Sequence, residues 1–70
     1  MTRAQLQELA PYLSQEALEV VLEALQTGAR LVEREGELWY DDPYYGDPVP
    51  LRSLYYDPEL GLTHRERRRP

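Results

Sequence analysis

The sequence predicts a small α+β domain in which two N-terminal helices pack on a β-hairpin. Three observations support this class. Residues 15–26 carry an apolar stripe at helical spacing, two short strand-like segments flank Glu35-Gly36, and the chain from Asp42 onward is rich in Pro and Tyr. The first pattern indicates an amphipathic helix, the second a hairpin, and the third an irregular segment that can add an edge strand.

The two helices are predicted from their capping residues and from the positions of the apolar residues. Thr2 can cap a first helix over residues 3–10, which ends before a proline. Ser14 can cap a second helix from Gln15 to Gln26, and Gly28 supplies a left-handed stop. The apolar stripe of the second helix follows i, i+3, i+4 and i+7 spacing and consists of Leu18, Val21, Leu22 and Leu25.

A hairpin is predicted from residues 30–34 and residues 37–41. The pairs that a two-residue loop at Glu35-Gly36 would form are Arg34 with Glu37, Val32 with Trp39, and Arg30 with Asp41. A three-residue loop with a left-handed glycine would instead bring Glu33 against Glu37, which are like charges. The charge pattern therefore favours the shorter loop, although glutamate is not the usual first residue of such a turn.

A Tyr-x-Asp-Pro pattern recurs in the second half of the chain. The copies begin at Tyr40, Tyr45 and Tyr55. Asp before Pro favours extended or turn geometry, so the pattern indicates turns rather than a repeat architecture. Between the later copies, residues 49–56 can form a third, edge strand with prolines confined to its start. Two further signals predict short helical turns: Asp57-Pro58 as an N-cap pair, and Thr63 with Glu66 as a capping box.

Length and composition predict one domain that has few ways to reinforce its fold. We expect this domain over residues 1–62 and a basic tail over residues 63–70. A chain of 70 residues has a small core, and it contains no cysteine that could form a disulfide or a zinc site. Self-association, as a homodimer, or docking on a partner protein is the remaining way to add stability.

Net charge and hydropathy bear on location and partners. The formal charge is −5, and four of the eight basic residues lie in the tail, so the body of the domain is strongly acidic. An acidic body disfavours non-specific contact with nucleic acid or an anionic membrane. No apolar run approaches the roughly 20 residues that cross a bilayer, and no signal-peptide core follows Met1. We expect a cytoplasmic protein. Its codon-biased composition, rich in Glu and Arg, also fits a thermophile.

Metal and catalytic sites are not expected. The acids Glu37, Asp41, Asp42 and Asp47 lack the alternating positions of a calcium loop and are better explained as turn and strand residues. The single His64 has no partner pattern for acid–base or nucleophilic chemistry, and we expect it to be exposed beside the tail. The sequence therefore predicts no enzyme, no metal site and no cofactor.

Two surfaces are candidates for binding a partner protein. The first is aromatic and comprises Trp39, Tyr40, Tyr44, Tyr45, Tyr55 and Tyr56. Such rings recur at interfaces, although a domain without Phe and Ile must also use some of them in its core, and we expect about half to be buried. The second is the acidic face of the second helix, formed by Glu16, Glu19 and Glu23, which is either an ordinary solvated face or a docking surface for a basic partner.

The order of elements over residues 5–41 resembles the second half of a winged-helix domain, with Gln15–Gln26 in the position of the recognition helix. In a DNA-binding member this helix presents Arg, Lys, Asn or Gln to the groove, whereas here it presents glutamates. Nucleic-acid binding would then depend on the hairpin wing and on phosphate contacts from the tail arginines, Arg65, Arg67, Arg68 and Arg69. This resemblance covers about half of the chain and includes no specific motif.

The sequence thus leads to a non-enzymatic protein-interaction or regulatory module that uses the aromatic surface and the acidic helix face. The alternative is a winged-helix-like regulator associated with nucleic acid. A third hypothesis is a small enzyme or ligand-binding protein that uses the Tyr/Asp segment.

Overall fold

The computed structural model describes residues 1–43 and 46–65. In this part of the chain the elements are α1 (Arg3–Leu9), α2 (Gln15–Gln26), β1 (Arg30–Arg34), β2 (Glu37–Asp41), β3 (Val49–Pro50), a 3-10 turn (Leu51–Ser53), β4 (Leu54–Asp57) and β5 (Gly61–His64). Strands β1, β2 and β3 form an antiparallel sheet in that order, and β4 pairs with β5. The predicted α+β class is confirmed.

Both helices begin at the predicted caps. At α1, the Thr2 hydroxyl accepts a hydrogen bond from the Gln5 N–H at 3.2 Å, and the Gln5 side chain accepts one from the Thr2 N–H at 2.8 Å. At α2, the Ser14 hydroxyl accepts from the Ala17 N–H at 3.2 Å. These bonds satisfy amide groups that have no partner inside the helix. Helix α1 ends at Leu9, one residue before the predicted limit.

Gly28 turns the chain from α2 into β1. Its φ is 128°, a conformation that favours glycine, and the Ala29 N–H donates to the Ala24 carbonyl at 2.9 Å. Of the two hydrogen bonds that define a Schellman motif, this is the one that spans more residues. The stop predicted from the glycine is confirmed, and it leaves only one residue between the turn and the first strand.

The hairpin has the predicted two-residue loop and the predicted register. Arg34 pairs with Glu37, Val32 with Trp39, and Arg30 with Asp41. Both loop residues have positive φ, 52° for Glu35 and 79° for Gly36, as a type I′ turn requires. Glu35 therefore occupies a left-handed conformation that is uncommon for residues other than Gly, Asn and Asp.

Replacing Glu35 by Asn is expected to stabilise the domain by about 0.5–1 kcal/mol, because Asn adopts the left-handed conformation at a lower energetic cost than Glu. The side chain is exposed, so little packing is lost. Chemical denaturation measures the change. The matched control is Glu33→Asn, the same exchange at an exposed position with extended backbone, which is expected to give no gain. A stability gain equal at both positions would contradict the explanation from backbone strain.

The third strand is present but shorter than predicted. Of the predicted range 49–56, only Val49–Pro50 pairs with β2, with Val49 opposite Tyr40 and Pro50 opposite Trp39. The chain then bends, and the Ser53 hydroxyl donates to the Pro50 carbonyl at 2.7 Å. This bend carries Leu51 to full burial, so the gain from burying that side chain outweighs continued strand pairing.

A second hairpin, β4–β5, replaces the helical turn predicted at Asp57-Pro58. The Asp57 carboxylate does accept hydrogen bonds from two following amides, those of Glu59 at 2.8 Å and Leu60 at 3.2 Å. The chain nevertheless reverses direction, because Gly61 follows with a φ of 84° and pairs back with Asp57. The result is a three-residue hairpin loop closed by a left-handed glycine.

The capping box predicted from Thr63 is also wrong. Thr63 lies in β5 opposite Tyr55, and its predicted partner Glu66 lies outside the described residues. His64 ends the strand and is partly buried rather than exposed. Strand β5 therefore extends two residues past position 62, the predicted end of the domain.

The core lies between the helices and one face of the three-stranded sheet. Its buried members are Leu6, Ala10, Leu18, Val21, Ala29, Tyr40, Val49, Leu51 and Leu54. Leu18 and Val21 of the predicted stripe are fully buried, whereas Leu22 and Leu25 pack at the edge of this cluster. Among the described residues, Tyr40 is the largest side chain that is fully buried.

Candidate interaction surface

The register of the sheet separates its side chains into two faces. Directly paired residues share a face, and neighbouring residues along a strand alternate. Tyr40 and its partners face the core, so Val32, Trp39 and Pro50 lie on the opposite face, in one row across three strands. We call this row the outer stripe. Each member is half-buried, so part of its apolar surface is accessible.

Charged groups border the outer stripe. The Arg30 guanidinium lies 3.0 Å from the Asp41 carboxylate on one side. On the other side Arg52 Nε lies 3.7 Å from Glu37 Oε2. Exposed pairs of this kind add little stability, but they give the apolar row a polar rim.

Arg34 covers part of the central ring. Its guanidinium carbon lies 5.4 Å from the centroid of the Trp39 ring, within the range of a cation–π interaction. The contact orders both side chains, so the stripe carries an aromatic group whose orientation is constrained before any partner binds.

The other predicted aromatic residues have different environments. Tyr40 is fully buried, and its hydroxyl donates to the Asp42 carboxylate at 2.6 Å, so it belongs to the core and not to a partner-binding surface. Tyr55 is half-buried, while the neighbouring Tyr56 is exposed, as alternation along β4 requires. Tyr44 and Tyr45 lie outside the described residues.

The acidic helix face is exposed but partly neutralised. Glu16, Glu19 and Glu23 all lie at the surface of α2. The Arg3 guanidinium of α1 contacts the Glu19 carboxylate and the Gln15 side chain. This long-range pair reduces the like-charge repulsion along α2, and it uses part of the face for packing the two helices together.

The arginine tail is described only at its first residue. Arg65 is exposed, its N–H donates to the Ser53 carbonyl at 3.0 Å, and its guanidinium lies 5.2 Å from the Tyr55 ring. The phosphate contacts predicted for Arg67, Arg68 and Arg69 lie outside the described residues.

A groove that the sequence did not indicate separates α1 from the hairpin loop. Its volume is about 560 Å³, and its lining consists of Leu9, Tyr12, Glu35, Gly36, Glu37, Leu38 and Arg52. The Arg52 guanidinium lies 4.8 Å from the Tyr12 ring centroid. No local pattern connects positions 12 and 52, so only the folded chain brings this pair together.

Tyr12 is expected to ionise at higher pH than an ordinary tyrosine. Burial raises the pKa of its phenol above 10.0, the Arg52 guanidinium lowers the pKa, and the Glu37 carboxylate raises it. Because the pKa of Tyr12 is higher in the folded state than in the unfolded state, protonation of the phenol favours folding. This contribution to the free energy of unfolding is complete below pH 10 and is lost as the pH rises through the folded-state pKa. The difference in phenolate absorbance between the wild type and Tyr12→Phe isolates this group from the other tyrosines.

A second variant checks the stated cause. Arg52→Gln removes the charge that lowers the pKa, so Tyr12 should titrate at still higher pH in this background. A Tyr12 phenol that titrates at or below 10, or one that shifts downward in Arg52→Gln, would contradict the assignment.

Three of the four acids considered as metal ligands have other partners. Asp41 pairs with Arg30, Glu37 lies beside Arg52, and Asp42 accepts the Tyr40 hydroxyl. Within residues 1–43 and 46–65, no three His, Asp or Glu side chains come together in a way that could hold a metal ion.

The fold and surface define a small α+β domain with a half-exposed apolar row on an otherwise polar sheet face. Comparison of the chain with protein-family models, with curated proteins and with solved structures found no match. In the described part of the chain, neither helix has the length and apolar character that crossing a bilayer requires.

Proposed function

We propose that the chain is a non-enzymatic module that binds another protein, with the outer stripe at the centre of the contact. The observation that carries the proposal is the alignment of Val32, Trp39 and Pro50 across three strands on the face turned away from the helices. A folded domain gains little by placing its only tryptophan on that face. A partner that covers the row would bury it.

The composition of the surface supports a protein partner. Binding energy at protein interfaces is concentrated in a few central residues, most often Trp, Tyr and Arg, inside a polar rim. Trp39 and Arg34 are such a pair, and Arg30 with Asp41 supplies one side of the rim. The acidic face of α2 would add long-range attraction for a basic region of the same partner.

The alternative function is association with nucleic acid through the hairpin wing and the arginine tail. Exposed Arg34 and Arg65 favour it. The hairpin wing also carries Glu33 in β1 and Glu35 in the loop, however, and these would repel phosphate groups. Titration with duplex and single-stranded nucleic acid at several salt concentrations distinguishes the two functions. Tight binding with a steep salt dependence would favour the nucleic-acid function, and the absence of such binding would eliminate that function.

The single tryptophan allows a direct test of the leading proposal. Protein produced with 5-fluorotryptophan carries one ¹⁹F label, at Trp39. Proteins captured by the tagged chain from an extract of the source cell are purified and titrated against the labelled chain. The ¹⁹F resonance is expected to shift or broaden on binding. A partner that binds at one site and leaves the resonance unchanged would contradict the proposed surface.

The labelled chain also reports self-association. If a second copy covers the stripe, the resonance depends on protein concentration, and sedimentation shows a dimer over the same range. A monomer at every concentration would eliminate the homodimer and leave a different protein as the partner.

A further inference from the structure

Strand β1 forms an open edge of the three-stranded sheet. The strand order is β1-β2-β3, and among the described strands only β2 pairs with β1. In a two-residue hairpin the residues that flank the loop form a hydrogen-bonded pair, and such pairs then alternate along the ladder. Residues 30, 32 and 34 therefore direct their amide and carbonyl groups to β2, while those of Leu31 and Glu33 point to the open edge.

The side chains on the outer face of β1 have a definite pattern. Arg30 and Arg34 lie on either side of Val32, so the order is basic, apolar, basic at every second residue. The strand already has one neighbour whose pattern is complementary. That neighbour is β2, which places Asp41 opposite Arg30, Trp39 opposite Val32, and Glu37 opposite Arg34.

We propose that the open edge of β1 binds an extended segment of the partner protein as an additional antiparallel strand, with the pattern acidic–x–apolar–x–acidic. The inference rests on the proposed protein-binding function and names the chemistry of the partner. The added strand would hydrogen-bond to the backbone of Leu31 and Glu33, in the manner of β-strand addition. Its acids would lie opposite Arg34 and Arg30.

The added strand would also extend the outer stripe. A residue opposite Val32 on the open edge belongs to a non-hydrogen-bonded pair, in which the side chains come closest together. An apolar side chain at that position would continue the row of Val32, Trp39 and Pro50 to a fourth strand. Backbone pairing and apolar contact would therefore occur in the same event.

Charge disfavours a second copy of β1 as the occupant. In antiparallel pairing centred on Val32, the symmetric register places Arg30 of one copy opposite Arg34 of the other. Like charges directly opposite each other are destabilising, and charged side chains on an edge strand are a common protection against self-pairing. The same charges attract an acidic strand.

The test uses a fluorescein-labelled peptide with the central sequence Glu-Lys-Val-Leu-Asp and flanking Gly-Ser pairs, measured by fluorescence anisotropy against the full chain. The lysine would lie opposite Glu33 and the leucine opposite Leu31. We expect saturable binding that weakens at least tenfold when both acids are replaced by arginine. Absence of saturable binding would overturn the inference.

Backbone methylation distinguishes strand addition from simple charge attraction. N-methyl groups on the peptide lysine and leucine block the amides that face β1, and they are expected to abolish binding. An N-methyl group on the central valine alters an amide that points away, so it serves as the matched control and should weaken binding much less. Equal sensitivity at the two kinds of position would overturn strand addition.

A charge exchange between the chain and the peptide tests whether the peptide binds at this edge. Arg34→Glu should weaken binding of the original peptide at least tenfold and should recover binding of a peptide whose first Glu is Arg. Arg65→Glu changes the net charge equally at a distant exposed site and is expected to do neither. Circular dichroism confirms that each variant is folded. Failure of the exchange to restore binding would overturn the assigned register.

The two proposals fail separately. If the peptide does not bind but the captured partner still shifts the ¹⁹F resonance of Trp39, strand addition is wrong and the outer stripe remains the contact surface. If the partner leaves that resonance unchanged, the proposed surface itself is wrong.

Discussion

Replacing Tyr40 by Ala is expected to unfold the domain or to leave it with a small part of its stability. The Tyr40 side chain is fully buried, and its strand lies between the other two strands of the sheet. Truncating a buried aromatic residue to Ala costs about 3–5 kcal/mol. A domain of this length has a total stability of roughly 4–10 kcal/mol. The substitution therefore removes a large fraction of the whole.

Denaturant unfolding followed by circular dichroism measures this effect, and two variants control it. Tyr40→Phe keeps the ring but removes the hydroxyl that donates to Asp42, so a smaller loss of about 1–2 kcal/mol is expected. Tyr56→Ala removes the same side chain from an exposed position and should change stability by less than about 0.5 kcal/mol. A Tyr40→Ala variant as stable as Tyr56→Ala would contradict the central place of Tyr40 in the core.

The first half of the fold could be predicted because its signals are local. Thr2 and Ser14 lie within three residues of the amides that they cap, and each hairpin pair is fixed once the loop length is known. The favourable pairs of the two-residue loop, together with the like charges that a longer loop would bring together at Glu33 and Glu37, predicted that length. Glu35 shows that the charge pattern outweighs the preference of the turn, because the loop forms although its first residue is strained.

The second hairpin could not be predicted because its signal is ambiguous. An Asp-Pro pair begins a helix or a turn through the same hydrogen bonds from the carboxylate to following amides. At Asp57 these bonds form, and Gly61 decides the outcome by taking a left-handed conformation that returns the chain. Strands β4 and β5 have only four residues each, which is too short for a clear alternating pattern.

The division of aromatic residues between core and surface required the tertiary structure. The predicted register already placed Trp39 and Tyr40 on opposite faces of the sheet. Both faces carry apolar residues, however, so the sequence did not show which face the helices would cover. Tyr40 is buried in the same cluster as Leu18 and Val21 of α2, and this arrangement leaves Trp39 on the outer face.

The acidic residues have more structural roles than their sequence pattern suggests. Glu19 is bound by Arg3, Asp41 by Arg30, and Asp57 by the amides of its own turn. Each of these contacts joins elements or closes a loop. Part of the negative charge of the domain therefore serves the fold, and the remaining acids would be available to attract a partner.

Replacing Trp39 by Ala is expected to weaken partner binding by at least about 30-fold while the domain remains folded. This change corresponds to roughly 2 kcal/mol, the lower limit for a residue that dominates an interface. Loss of the ring removes the centre of the outer stripe and also the surface against which Arg34 is ordered. Because Trp39 is only half-buried and lies outside the core cluster, the cost to folding should be smaller than that of Tyr40→Ala.

Affinity for the captured partner is compared among three variants by surface plasmon resonance, after circular dichroism has shown that each is folded. Trp39→Phe keeps an aromatic ring of smaller area and should retain an intermediate affinity, whereas Tyr56→Ala removes a ring from the separate β4–β5 sheet and should bind like the wild type. If Trp39→Ala is folded and binds as tightly as Tyr56→Ala, the outer stripe is not the contact surface. An affinity that falls from the wild type to Trp39→Phe and again to Trp39→Ala would instead show that the area of this ring determines the affinity. The backbone and the rim charges are the same in these three proteins.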